Sequence, residues 1–162
     1  MTKPGFLAIL FLMLFVATVS CTQERNPCLE PTRYFLKIKT LKPADTGSAG
    51  VDSTLPGAVV GLVDTNILFA DSAAANAFSG TLSSIADSVR WFVWPEKANP
   101  ANGDTITFYY ERKLNFLSTA CGYNYVYVLN NITTTNNSID SARIENAEIT
   151  SKTDVFHVKV FY

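Results

Sequence analysis

The stretch that decides the fold is Thr105-Ile106-Thr107-Phe108-Tyr109-Tyr110-Glu111-Arg112. Ile106, Phe108 and Tyr110 fall on one face of it, and Thr105, Thr107, Tyr109 and Glu111 on the other. A period of two, filled with β-branched and aromatic residues, marks a half-buried β-strand, because successive side chains of an extended chain point to opposite faces. The pattern recurs outward in both directions. In Arg33 to Thr40, Tyr34, Leu36 and Ile38 share a face while Lys37 and Lys39 take the other, and Ser88 to Trp94 sets Val89, Trp91 and Val93 against Arg90, Phe92 and Trp94. Gly57 to Val63 is a continuous apolar run of strand length, Tyr123 to Leu129 and Asp154 to Tyr162 are further strands, and weaker ones lie at Ile67 to Ala70, Ser79 to Ser84 and Ser141 to Thr150. Asp71 to Ala77 reads as one helical turn at most. With no long 3.6-residue period, residues 32–162 predict an all-β fold. The expected form is an antiparallel β-sandwich, immunoglobulin-like or transthyretin-like, of about seven to nine strands.

Composition agrees with one domain that buries a real core: 162 residues, 48% hydrophobic, 17% charged, net charge -1. A chain this apolar is not a disordered one, and its near-neutral balance offers no basic field for nucleic acid.

At the other end of the chain the pattern changes. Lys3 precedes an uninterrupted apolar run from Phe6 to Val19, followed by Ser20 and Cys21. The run is too short for a permanent bilayer span and suits a signal peptide. Thr18-Val19-Ser20-Cys21 resembles a relaxed bacterial lipobox, so residues 1–20 are expected to be a lipoprotein signal peptide and Cys21 the lipidated N-terminus of the mature chain. The competing reading is an ordinary signal peptide that leaves Cys21 a thiol. Residues 21–31, polar and containing Pro27 and Pro31, read as a short lipidated tether to the membrane. Of the three cysteines, lipidation of Cys21 leaves an even pair, Cys28 and Cys121, which can join in an oxidising compartment or remain two separate buried thiols.

Four pieces of the chain carry a wider resemblance: the lipobox followed by a second Cys, Tyr110-Glu111-Arg112-Lys113, Ser118-Thr119-Ala120-Cys121-Gly122-Tyr123, and the ending His157-Val158-Lys159-Val160-Phe161-Tyr162. In this order and spacing they resemble a family of small Bacteroidota lipoproteins of unknown function. The resemblance covers nearly the whole chain and implies an envelope lipoprotein with an all-β domain. It transfers no catalytic residue.

A census of reactive groups finds no convergent set. The lone histidine, His157, sits in an alternating strand between Phe156 and Val158 and reads as structural rather than as the base of a triad. Glu111, Glu145 and Glu148 are not brought together by spacing, and two late cysteines with one histidine lack the close pairing of a zinc site. No enzyme activity, cofactor or metal is therefore expected.

Aromatic residues are the better candidates for a binding surface. Trp91 and Trp94 fall on opposite faces of one strand, so one of them is available to solvent unless that strand is central, and Tyr109 lies opposite the apolar face of its strand. An exposed ring of this kind stacks on a sugar or anchors a partner protein. Tyr123, Tyr125 and Tyr127 line one face, either as a recognition ladder or packed into the core. Seven of the eight aspartates precede Ser or Thr, which suits turns whose carboxylates bond nearby backbone amides; four of these, at 71, 87, 104 and 140, continue with an aliphatic residue and also resemble an O-glycosylation acceptor pattern of Bacteroidota envelope proteins.

Together these features predict a lipoprotein of the bacterial cell envelope, held to the outer membrane through Cys21 and facing the periplasm rather than the exterior. Thr22 after the cysteine and the single acidic residue in Thr22 to Arg25 favour that placement. Its expected role is a non-catalytic binding or assembly module, with another envelope protein or a glycan as partner and no nucleic acid. The alternatives are a surface glycan-binding lipoprotein using Trp91, Trp94 or Tyr109, and a hydrolase built on His157.

Overall fold

The computed structural model describes residues 28–29, 31–43, 50–151 and 154–162. The signal segment, Cys21 and most of the tether lie outside the described residues. Among those described, eleven strands form two sheets, joined by turns and one short 3-10 segment at Pro100–Asn102.

The first sheet contains β1 (Phe35–Lys42), β2 (Val51–Asp52), β5 (Ala77–Thr81), β9 (Ser141–Ile144) and β11 (Val158–Phe161). Along one edge of β1 run β5 and then β2, both antiparallel; along the other runs β11, parallel, with Ile38 opposite Val158 and Leu41 opposite Phe161. The second sheet has the order β10 (Glu148–Ile149), β8 (Gly122–Thr134), β7 (Asp104–Ser118), β6 (Ser88–Trp94), β3 (Leu55–Leu62) and β4 (Leu68–Ala75).

The inward faces are those the two-residue period selects. Leu36, Ile38, Val158 and Val160 from the first sheet meet Val60, Trp91, Phe108, Tyr110 and Leu129 from the second in one buried cluster. At its centre Trp91 is fully buried between Phe69 and Phe108, with ring centroids at 4.6 and 5.0 Å. Phe69 in turn lies so close over Gly80 that a Cβ there would stand 2.5 Å from its ring. A two-sheet, all-β sandwich is therefore the fold.

Several details differ from what the sequence predicts. Eleven strands stand among the described residues where seven to nine are expected, because short edge strands such as Val51–Asp52 and Glu148–Ile149 carry no periodic signal, and the last strand is only Val158–Phe161, with His157 just ahead of it. Asp71 to Ala77 forms no helical turn: the alanines continue β4 to Ala75, because pairing with β3 outweighs the helical preference of alanine. Ser141 to Thr150 is not one strand, since β9 joins the first sheet and β10 the second. The sandwich is also not wholly antiparallel, because β1 and β11 run side by side in the same direction.

Candidate functional site

The most distinctive element is the β7–β8 ribbon, which is much longer than the core it serves. Its paired residues run from Ile106↔Thr134 to Ser118↔Gly122. Gly122 closes the turn at φ 71°, a left-handed backbone that favours glycine. At about 3.3 Å per residue, the eight steps from Tyr110 to Ser118 carry the ribbon about 26 Å further along β7.

The base of the ribbon is organised by a carboxylate. Asp104 is buried and accepts hydrogen bonds from Thr135 Oγ1 at 2.7 Å and from the backbone N–H groups of Asn137, Ser138 and Ile139 at 2.6, 2.8 and 2.9 Å. Burial alone raises a carboxyl pKa, but these donors outweigh it and hold Asp104 below the ordinary carboxylate value. The carboxylate thereby fixes the Thr135 to Ile139 loop, and Asn137 Nδ2 adds a bond to the Gly103 carbonyl at 2.8 Å.

Halfway along, the ribbon is clamped to the loop that precedes β6. The Tyr110 hydroxyl accepts from the Ser83 N–H at 2.8 Å and donates to the Ser83 carbonyl at 3.1 Å. Arg112 donates to Asp87 Oδ1 and to the Ser84 carbonyl, both at 2.8 Å.

Beyond Arg112 the ribbon becomes an arm. Its strand alternation continues the core face, so Leu114, Phe116, Tyr123 and Tyr125 follow in line from Phe108, Tyr110, Leu129 and Tyr127. No strand of the first sheet covers them. Leu114 is 62% exposed, Phe116 55% and Tyr123 64%, and the rings of Phe116 and Tyr123 pair at 5.1 Å. The opposite face of the arm is better covered: Asn124 is buried, takes Asn115 Nδ2 on its carbonyl oxygen, and donates from Nδ2 to the Pro31 carbonyl. Cys121, in the turn of the arm, is joined to Cys28. Of the two cysteine readings, the structure holds the disulfide.

Between the arm and the Thr81 to Ile85 loop lies an open groove of about 490 Å³, walled by Tyr123, Tyr125 and Tyr127 and reached by Arg33 and Ile85. A second hollow, of about 540 Å³, lies beside Asp87, Glu111, Arg112 and Leu114, and Tyr125 borders both. Tyr127 is packed edge-on against Tyr110, so the tyrosine ladder is divided: its inner rung belongs to the core and its outer two rungs to solvent.

The other candidate residues are scattered. Trp91 is a correction to the expected binding surface: β6 is an inner strand of its sheet, so this indole lies wholly in the core and presents no face to a ligand. Trp94 is half-buried, stacked on Phe92 at 4.9 Å and seated over Gly103. Tyr109 is exposed, but Ser88 pairs with it and Trp94 stands six residues further along β6, about 20 Å away. These two rings do not form one site.

His157 is buried. Its Nδ1 accepts the Lys37 backbone N–H at 3.0 Å, which leaves the proton on Nε2, and no partner bonds Nε2. Burial pushes the imidazole below its ordinary pKa, and the Lys37 charge adds to this. The ring is thus a neutral acceptor that ties β1 to the strand beside it, with no Ser, Asp or Glu side chain bonded to it. Glu145 pairs with Lys159 at 3.0 Å and Glu111 stands 3.8 Å from Lys113. Among the described residues no three His, Cys, Asp or Glu side chains gather as a metal site. Of the aspartates in Asp-Ser and Asp-Thr pairs, Asp52, Asp64, Asp71 and Asp87 bond at a distance, to Lys39, Arg90, Lys97 and Arg112, and Asp45 lies outside the described residues.

Fold and site thus define an all-β sandwich domain with a projecting, disulfide-tied aromatic arm. A family model described as a family of unknown function (DUF6452) matches residues 58–162, and the chain belongs to that family. The match takes in the whole ribbon with Cys121 and stops short of β1 and Cys28. No curated protein and no solved structure matches the chain.

Proposed function

We propose that this protein is a membrane-anchored lipoprotein of the bacterial envelope, lipidated at Cys21, whose sandwich serves as a non-catalytic binding or assembly module with the arm as its working surface. The observation that carries the reading is the cysteine pattern: the Cys28–Cys121 bond accounts for two of the three cysteines. Cys21, directly after the apolar run and the small Ser20, stands outside that pair, as a lipid acceptor must. The resemblance to Bacteroidota lipoproteins supports the same compartment, and a disulfide suits an oxidising one. In this reading residues 1–20 are the signal peptide, 21–31 the tether and 32–162 the folded domain, on the periplasmic face of the outer membrane. Two or three acyl chains hold such a domain stably, where one alone is marginal.

The test is fractionation of the native host. The wild-type chain is expected in the membrane fraction, released by detergent and not by salt, and Cys21→Ser is expected to leave it. A wild-type chain that is soluble, or a variant that stays equally membrane-bound, contradicts the anchor.

A second reading, a glycan-binding lipoprotein, draws support from the tyrosine-walled groove. Tyr123 and Tyr125 offer faces for stacking, and Asn124 and Arg33 stand beside them. In that reading the rings of the arm replace the buried Trp91 as the stacking surface.

A further inference from the structure

We infer that the partner of the arm is the lipid surface itself: the tip of the β7–β8 ribbon rests in the bilayer interface beside the anchor, with Leu114, Phe116, Tyr123 and Tyr125 turned into the headgroup and upper acyl region. The inference rests on the anchored reading above and names the surface on which its working element acts.

Position is the first argument. The described chain starts at Cys28, which is bonded to Cys121 in the turn of the arm. Six residues separate Cys21 from Cys28, and the seven steps between the two cysteines span, fully extended, no more than about 25 Å. The lipid therefore holds this end of the sandwich, and not the Asp104 end, close to the bilayer. The ribbon places the two ends of β7 about 46 Å apart at strand rise, so the choice of end is not a small one.

Surface chemistry is the second. Among the described residues, five of the eleven exposed large apolar side chains are Leu29, Leu114, Phe116, Tyr123 and Tyr125. Leu29 adjoins the disulfide and the other four form the open face of the arm. An uncovered apolar cluster facing water is costly, whereas Tyr and Phe at the level of lipid headgroups keep their rings in an apolar layer and the tyrosine hydroxyls wet.

Charge is the third. From Leu114 to Ile139 the sequence contains no Asp, Glu, Lys or Arg. The tip's own strands thus carry no charged side chain into the interface, the usual obstacle to placing a protein edge there, and the nearest charge from another element is Arg33, beside Tyr123 and Tyr125. The last charges before the tip, Arg112 and Lys113, stand on β7 beside Asp87 and Glu111, so the charged part of the ribbon stays outside the tip. Each strand of the tip is paired on its inner edge, to Ser118↔Gly122, and open on its outer edge, so the backbone stays at the hydrated headgroup level while the side chains reach inward.

The test uses the full lipidated chain, extracted in detergent and reconstituted into phosphatidylcholine vesicles with brominated acyl chains. Phe116→Trp adds an indole at an exposed position of the tip, where no core packing is lost. The native indoles serve as internal controls, because Trp91 is in the core and Trp94 sits at the Asp104 end. The account expects the emission of the introduced indole to shift to the blue and to be largely lost on brominated vesicles, while the wild-type emission stays unchanged. If the variant floats with the vesicles but its added emission remains water-like and unquenched, the arm does not enter the bilayer and the anchor alone stands. If the chain does not float with the vesicles, the anchored reading fails and this inference falls with it.

Discussion

Phe108 and Phe116 stand on the same strand and the same face, eight residues apart, yet Phe108 is fully buried against Trp91 and Phe116 is 55% exposed. Strand geometry treats the two positions alike, since each side chain points to the side that the period of two assigns it. What separates them is the opposite layer. The base of the ribbon has the first sheet across from it and a carboxylate, Asp104, that satisfies the loop next to it. The arm has neither, and is held by Cys28, by Asn124 and by the Arg112 clamp. Burial along a ribbon is decided by what covers it, not by the residues of the ribbon alone.

The difference is broken most severely at the base. Phe108→Ala is expected to cost about 3–5 kcal/mol in urea unfolding, because it opens a cavity in a close-packed core. A cost below about 1 kcal/mol would mean that this region tolerates loss as the arm does.

Next comes the bond that holds the arm. Replacing Cys28 and Cys121 together by Ser removes a cross-link of sequence separation 93, and stability is expected to fall by about 2–5 kcal/mol. Amide exchange would rise chiefly in residues 113–126 while 104–110 keep their protection. Uniform loosening of both ends would contradict the view that the bond secures the arm in particular.

Acid separates two buried groups. His157 has its pKa lowered by folding, so the unfolded chain takes up the proton first, and stability is expected to decline as pH falls below about 6.5. Asp104 also has a lowered pKa, so its contribution is present above the unfolded value of about 3.9 and is lost as pH falls below that, toward its folded value. Unfolding measured across pH should show two limbs. His157→Gln should flatten the upper limb, and Asp104→Asn the lower one. A single limb unaffected by His157→Gln would contradict the neutral, buried imidazole.

The smallest effect belongs to the tip. Phe116→Ala is expected to change the stability of the domain in solution by less than about 0.5 kcal/mol, as exposed substitutions do. Paired with Phe108→Ala it measures, on one strand, what an opposing sheet is worth.

Much of this was legible in the sequence. Alternation located Tyr34, Leu36 and Ile38, Trp91, and the Ile106, Phe108 and Tyr110 face, because a period of two is a local property that folding preserves. Cysteine arithmetic put Cys28 and Cys121 forward as a pair while leaving two separate thiols open. The arm is hidden from the alternation because Arg112 breaks the apolar face and Tyr123 restarts it, although Leu114 and Phe116 continue the period of two and the charge-free run from Leu114 fits a continuous hairpin. The burial of Trp91 depended on β6 lying inside its sheet, and strand order is set by pairings distant in sequence. The role of Asp104 was hidden for the same reason: the donors it serves lie 31 to 35 residues away and are mostly backbone.

The central claim is that one cysteine holds lipid while the other two staple the arm beside it. The intact mass of the native protein extracted in detergent, before and after reduction, tests both halves at once. The account predicts the mass of Cys21 to Tyr162 plus an acylated glyceryl group, rising by two protons on reduction. A mass without lipid, or one that reduction leaves unchanged, would contradict it.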